Sequence, residues 1–207
     1  MRQDAPEEKT GQQYFAAQPE AESAPGVVRW RLPDRIVNLW TDRGVFSRGK
    51  VDRGTDLLAR EMHLPETGEI LDLGAGYGPL GLVAALRSPG ARVTLVEVNE
   101  RAAELARRNL AENGVENAEV LVGAAPEVLG EREFDAVVTN PPLRAGKAEV
   151  MRLLRDAAGR LRPGGSLWLV IQTKQGAKAL ARDLGEFMGE VQTVEISGGY
   201  RVMRGRK

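Results

Sequence analysis

Three groups of residues in this chain have the types and spacing to do chemistry together. The first is Asn140-Pro141-Pro142, within "TNPPLRAGK", directly after the apolar run "FDAVV" (Phe134 to Val138). Each proline fixes its own φ and biases the residue before it toward extended backbone, so Asn140 is aimed rather than loose. Its amide oxygen and a neighbouring proline carbonyl could accept both hydrogens of a planar amine. An exocyclic amine on a base is a poor nucleophile because its lone pair is delocalised into the ring. Two acceptors on its hydrogens favour a pyramidal nitrogen, and their dipoles stabilise the positive charge that grows during attack. Asparagine cannot act as a general base near neutrality, so the proton leaves after transfer and positioning does much of the work. The structural alternative is a strand-ending proline turn with an asparagine cap.

The second group is "LDLGAGYGPLGL", Leu71 to Leu82. Gly74, Gly76 and Gly78 allow a sharp turn and a close approach of backbone to a ligand, and the helix start beyond them offers unpaired N–H groups. Gly76, Gly78 and Gly81 also satisfy the dinucleotide pattern G-x-G-x-x-G, which alone is a weak signal. Asp72, two residues before the first glycine, suits a cationic or amine-bearing ligand better than a pyrophosphate. The third group is Glu97, at the end of the next strand, placed to accept hydrogen bonds from both hydroxyls of a ribose. Read without its neighbours, Glu97 is equally an exposed strand-end charge.

These groups need a scaffold that brings strand ends to one edge. From Glu69 onward strands and helices alternate. "EILDL" leads to a helix over Leu80–Arg87, "RVTLVEV" to a helix over Glu100–Asn113 closed by Gly114, and "AEVLV" through a short turn to "FDAVVTN". A helix over Ala148–Leu161 stops at "RPGG". "SLWLVIQT" leads to a helix over Ala177–Met188, and "EVQTVEI" and "YRVMRGR" form an antiparallel pair around "SGG". This alternation predicts an α/β fold: a mostly parallel sheet covered by helices on both faces, with a terminal hairpin. Upstream, "VVRWRLPDRIVNLWTD" alternates around a Pro-Asp turn and predicts a β-hairpin. A glycine-rich, lid-like loop then enters a helix from Thr55 to about Met62, with Thr55 as its cap. Residues 1–26 read as a mobile arm that Tyr14 and Phe15 could anchor, residues 27–53 as the hairpin and loop, and residues 54–207 as the core of a single domain.

Composition narrows the chemistry. The chain has 207 residues, 42% hydrophobic and 28% charged, and no cysteine, which excludes disulfides, thiolate catalysis and cysteine-bound metals. With His63 as the single histidine, a histidine-based metal cluster or a Ser-His-Asp triad is not expected, and no metal is assigned. No apolar stretch reaches the roughly 20 residues that span a bilayer, so a cytoplasmic protein without membrane contact is expected. Net charge is zero, yet Val27 to Arg53 carries seven Lys/Arg against three Asp/Glu and Leu143 to Lys178 eight against two. Arg48, Lys50, Arg144, Lys147 and Lys174 read either as solvated loop charges or as contacts to a polyanion backbone. Trp30, Trp40 and Trp168 are expected to pack in the core or hairpin rather than to stack on bases.

Taken together, "LDLGAGYGPLG", the acid of "VEVN", "TNPPLRAGK", "WLVIQTKQGA" and "GVFSRGKVDRGTDLL" resemble the class I S-adenosylmethionine-dependent methyltransferases. From about Tyr14 the chain is similar to small, single-domain relatives of the RsmC family, the bacterial 16S ribosomal RNA guanine-N(2) methyltransferases. The resemblance implies a Rossmann-like, seven-stranded sheet of order 3-2-1-4-5-7-6, S-adenosylmethionine as cofactor, and ribosomal RNA or the small ribosomal subunit as partner. It implies Asp72, Gly74 and Gly76 near the methionine part of the donor, Glu97 at its ribose, Ala124 near its adenine, and Ala75, Gly78, Val98 and Asn140 also among the residues around it. Phe46, Gly54 and Thr55 would close over the donor, while Asn140 with Pro141 and Pro142 would hold the target amine. Two-domain family members carry a degenerate second methyltransferase domain where this chain is expected to have only a short arm, which implies that substrate selection is achieved differently or is looser. Leu143 stands where the family has an aromatic that stacks on a base, and "VGAAPE" stands where many class I enzymes have an acid for the adenine amine. Three other readings stay open: a protein glutamine-amide methyltransferase, a nicotinamide-dependent oxidoreductase, and a non-catalytic RNA-binding assembly factor.

Overall fold

A computed structural model describes residues 22–207; most of the expected N-terminal arm, with Tyr14 and Phe15, lies outside the described residues. The upstream hairpin is β1 (Gly26–Arg31) and β2 (Ile36–Thr41), paired antiparallel from Gly26 opposite Thr41 to Arg31 opposite Ile36. Then come α1 (Arg53–Glu61), β3 (Thr67–Leu73), α2 (Pro79–Arg87), β4 (Gly90–Glu97), α3 (Glu100–Glu112), β5 (Ala118–Val122) and a one-turn α4 (Ala125–Val128). The chain continues through β6 (Phe134–Thr139), α5 (Lys147–Gly159), β7 (Leu161–Gln172), α6 (Ala177–Leu184), β8 (Glu190–Ser197) and β9 (Tyr200–Arg206). The large sheet has the order β5-β4-β3-β6-β7-β9-β8, with β9 antiparallel to both of its neighbours and the others parallel. Counted from β3, that is the expected 3-2-1-4-5-7-6, a Rossmann-like α/β fold.

Two apolar layers explain the sandwich. On one face, Ile70, Val93, Leu95, Val138 and Val170 pack with α1, α2, α3 and the hairpin residues Trp30 and Leu39. On the other, Leu71, Leu73, Val137, Leu169 and Met203 pack with Leu154 of α5 and Leu180 of α6. Neighbours alternate between the layers because successive strand side chains point to opposite faces. Trp30 and Trp168 are buried and Trp40 is half-buried, with the Arg108 guanidinium 3.4 Å over its ring. His63 is exposed, its ring 6.1 Å from that of Trp168.

Several element boundaries differ from expectation, and three of the differences have a clear local cause. Helix α1 starts before Thr55, because the Asp52 carboxylate caps it by accepting from the N–H groups of Gly54 (2.8 Å) and Thr55 (3.2 Å). Strand β7 begins at Leu161 and absorbs "RPGG" as an irregularity, since its pairing with β6 jumps from Phe134–Leu161 to Ala136–Ser166. Helix α6 ends at Leu184, with Gly185 as its C-cap. Among the described residues no helix is long and apolar enough to cross a membrane.

Candidate active site

The glycine loop closes β3 and opens α2. Gly74 and Ala75 both donate from their backbone N–H to the Val96 carbonyl at 3.0 Å, which pins the loop to β4. Gly74 (φ 74°) and Gly76 (φ 58°) have left-handed backbone, and a methyl added at either would meet nothing within 4 Å. The open space beside them is a cradle that any side chain would fill. Gly78 and Gly81 differ, because a Cβ there would come within 3.0 Å of the Ala106 Cβ and 2.5 Å of the Leu95 Cγ respectively. These two let α2 lie close against β4 and α3.

Asp72 is 1% exposed, and its Oδ2 accepts the Gly81 N–H at 2.7 Å. It thereby caps α2, whose own N-cap Gly78 has no side chain to offer. Its Oδ1 is buried without a partner. Burial pushes the Asp72 carboxyl up to about 7, opposed by the Gly81 N–H and helped by the nearby Glu97 charge. The Tyr77 hydroxyl is also buried without a partner, and burial together with the Asp52 charge raises it. Two of the three such atoms among the described residues therefore sit in or under the glycine loop; the third is Arg201 Nε on β9. Glu97 accepts from backbone N–H groups, Gly76 at 2.7 Å on Oε2 and Asn99 at 2.8 Å on Oε1. Burial moves its carboxyl upward, and the surrounding N–H groups oppose that. Each oxygen keeps lone-pair capacity for a hydroxyl donor.

Apolar surface borders this edge. Phe46, Val98 and Val122 are among the exposed large apolar side chains, two of them directly at the ends of β4 and β5. The loop bearing Phe46 is tied to α3, since Asn99 Nδ2 donates to the Gly44 carbonyl and Arg101 to the Arg43 carbonyl. Ala124 is half-buried and is the N-cap residue of α4.

Asn140 follows β6 on the same edge. Its Nδ2 donates to Thr55 Oγ1 at 2.9 Å and to Asp52 Oδ2 at 3.2 Å. Among the described side chains and backbone none donates to its Oδ1, so the acceptor end of the amide is open there. The Pro141 carbonyl already accepts the Leu143 N–H at 2.8 Å and retains one lone pair. Pro141 is buried and Pro142 half-buried. Thr139 Oγ1 donates to the Leu73 carbonyl at 2.8 Å and locks the proline loop to the start of the glycine loop.

The structure thus gathers Asp72, the glycines, Glu97, Thr55 and Asn140 at the carboxyl edge, where open α/β sheets bind ligands. Gly54 is covered by the Tyr200 ring, and a Cβ on it would lie 2.9 Å from two ring carbons. Leu143 packs in part against the core layer of α5 and α6. Arg144 lies in the 3-10 turn Leu143–Ala145. Lys147 pairs with Asp183 of α6 at 2.6 Å, while Lys174 is exposed in the turn Thr173–Gln175. Lys50 is exposed, and Arg48 is exposed with a 3.4 Å bond to the Ala24 carbonyl. Sequence reasoning missed Asp52, Thr139 and Asn109. Asn109, fully buried, accepts from the Trp40 N–H (2.6 Å) and donates to the carbonyls of Trp40 (3.0 Å) and Tyr77 (2.8 Å). It is a polar residue on the apolar face of α3, the one local signal that could have exposed it.

Comparisons with known proteins identify the family. The family model "Methyltransferase small domain" matches residues 36–204. YbxB of Bacillus subtilis (strain 168), described as uncharacterized, is 36% identical over 94% of this chain and 98% of its own length. Ribosomal RNA small subunit methyltransferase C of Pseudomonas aeruginosa (strain UCBPP-PA14) is 37% identical over 86% of this chain and 54% of its own length. A solved structure of the T. thermophilus 16S rRNA N2 methyltransferase RsmC, in complex with AdoMet and guanosine, has a TM-score of 0.78 and 32% identity. That match covers 91% of this chain and 52% of the other, so the chain spans about half the length of these RsmC relatives. The chain belongs to the methyltransferase small domain family and is a class I methyltransferase related to RsmC.

Proposed function

We propose that this protein transfers a methyl group from S-adenosylmethionine to an exocyclic amine of an RNA base, with guanine of small-subunit ribosomal RNA as the substrate. The observation that carries the reading is the Asn140 amide, whose N–H groups are occupied by Thr55 and Asp52 while no donor to Oδ1 is found among the described side chains and backbone. When bound, the sulfonium donor supplies an electrophilic methyl: the amine lone pair forms the N–C bond, the C–S electrons return to sulfur, and the nitrogen's proton goes to water.

The rest is done by side chains and backbone of this chain. Asn140 Oδ1 and the free lone pair of a proline carbonyl hold the amine hydrogens and stabilise charge growing on nitrogen. Buried Asp72 Oδ1 accepts from an ammonium, the Gly74–Gly76 cradle admits backbone approach, and Glu97 accepts from ribose hydroxyls. A buried carboxylate beside the loop disfavours a pyrophosphate, which counts against the nicotinamide reading. Exposed Arg48, Lys50 and Lys174 contact RNA phosphates, and Leu143 offers an apolar face to the base. Support for RNA as the substrate comes from the RsmC relatives.

The test is nucleoside mass spectrometry with reverse-transcription mapping of ribosomal RNA, with and without this protein. N2-methylguanosine at one position, lost when the protein is absent, is expected. Unchanged RNA together with a methylated glutamine peptide would replace this reading with the protein-amide one.

A further inference from the structure

We propose that Asp52 is a positioning residue for the transfer, holding the Asn140 amide in the one orientation that offers an oxygen to the amine. The inference rests on the role given to Asn140 above. An asparagine amide fits its space in two orientations related by a half-turn, which exchange oxygen and nitrogen. One presents an acceptor and the other presents two donors, and only the acceptor can hold amine hydrogens.

What chooses between them is the chemistry of the partners. Thr55 Oγ1, at 2.9 Å from Asn140 Nδ2, does not choose, because a hydroxyl can accept from nitrogen or donate to oxygen. A carboxylate only accepts. Asp52 Oδ2, at 3.2 Å from Nδ2, accepts a hydrogen in the observed orientation and would face an oxygen in the other. The same Oδ2 accepts the Gly54 and Thr55 N–H groups at the start of α1, so its position is fixed by the helix as well. Behind it, the Tyr200 ring leaves no room for a Cβ at Gly54, and Gln172 Nε2 donates to the Tyr200 hydroxyl at 3.2 Å. The start of α1 is thereby braced by β9, and Asp52 carries that rigidity to Asn140 across 88 residues of sequence.

The experiment separates capping from orientation. Asp52→Ser keeps a good helix cap but replaces the carboxylate with a short hydroxyl that can donate or accept. Asp52→Asn keeps a carbonyl oxygen that can serve both the helix N–H groups and Asn140. Each is compared with the unsubstituted protein and Asn140→Ala in methyl transfer to 16S ribosomal RNA purified from cells lacking the protein. Thermal unfolding and calorimetric donor affinity are measured alongside. For Asp52→Ser the expected result is near-normal unfolding, donor affinity and KM for RNA, with kcat lowered about tenfold to 100-fold; Asp52→Asn recovers most of that loss. If Asp52→Ser does not fold, Asp52→Gly, also tolerated at a cap, takes its place.

Normal kcat in the Ser or Gly variant, with Asn140→Ala inactive, overturns the positioning role and leaves the Asn140 reading standing. Normal kcat in Asn140→Ala overturns both. So does the absence of transfer to RNA by the unsubstituted protein.

Discussion

Asp72 and Gly81 join the strand that enters the glycine loop to the helix that leaves it, through a fully buried 2.7 Å hydrogen bond. Only one carboxylate oxygen is used, and the other is the group in the loop best suited to a cationic ligand.

This arrangement predicts a pH dependence. Burial holds the Asp72 carboxyl at about 7 in the folded protein, above its ordinary 3.8. Binding an ammonium requires the charged form, so donor affinity measured by calorimetry should rise between about pH 6 and about pH 8, by up to about tenfold per unit below the titration point. Stability of the ligand-free protein runs the other way. A raised carboxyl pKa contributes stability that is full below about pH 4 and is lost as pH rises through about 7. Asp72→Asn should flatten both profiles and weaken donor binding.

Substitutions in the glycine loop should separate binding from packing. Gly74→Ala and Gly76→Ala meet no neighbour and cost only left-handed strain of roughly 1–2 kcal/mol, yet their methyls fill the cradle. Donor affinity should fall at least about tenfold in a folded protein. Gly81→Ala would put a Cβ 2.5 Å from Leu95 Cγ, so it should lower stability by about 1–3 kcal/mol. Chemical denaturation and donor titration on the three variants check the contrast.

Asn109 makes the hairpin part of the site. It pairs with both backbone groups of Trp40 as a neighbouring strand would, and with Tyr77 in the glycine loop. Asn109→Ala leaves those groups without a side-chain partner and should cost about 3 kcal/mol, a fall of roughly 6–12 °C in Tm. Thermal unfolding measures it directly, and an unchanged Tm would deny this connection.

The sheet was legible in the sequence because its central strands are apolar runs, and because acid, glycine and asparagine fall at strand ends. The helix cap was harder. Asp52 and Thr55 are both cap-forming types, and only the structure shows Asp52 accepting from both N–H groups of the first turn. Thr139 and Asn109 carry no local signal of their partners, which lie 66 and up to 69 residues away in sequence. Lys147 reads as a loop cation until α6 brings Asp183 to 2.6 Å, a contact no short-range pattern encodes.

The measurement closest to the central claim is single-turnover methyl transfer to ribosomal RNA by Asn140→Ala, with donor affinity measured on the same preparation. The account predicts transfer slowed by about 100-fold or more with donor affinity within about twofold of the unsubstituted protein. Transfer at the original rate, with the donor still bound, would contradict it.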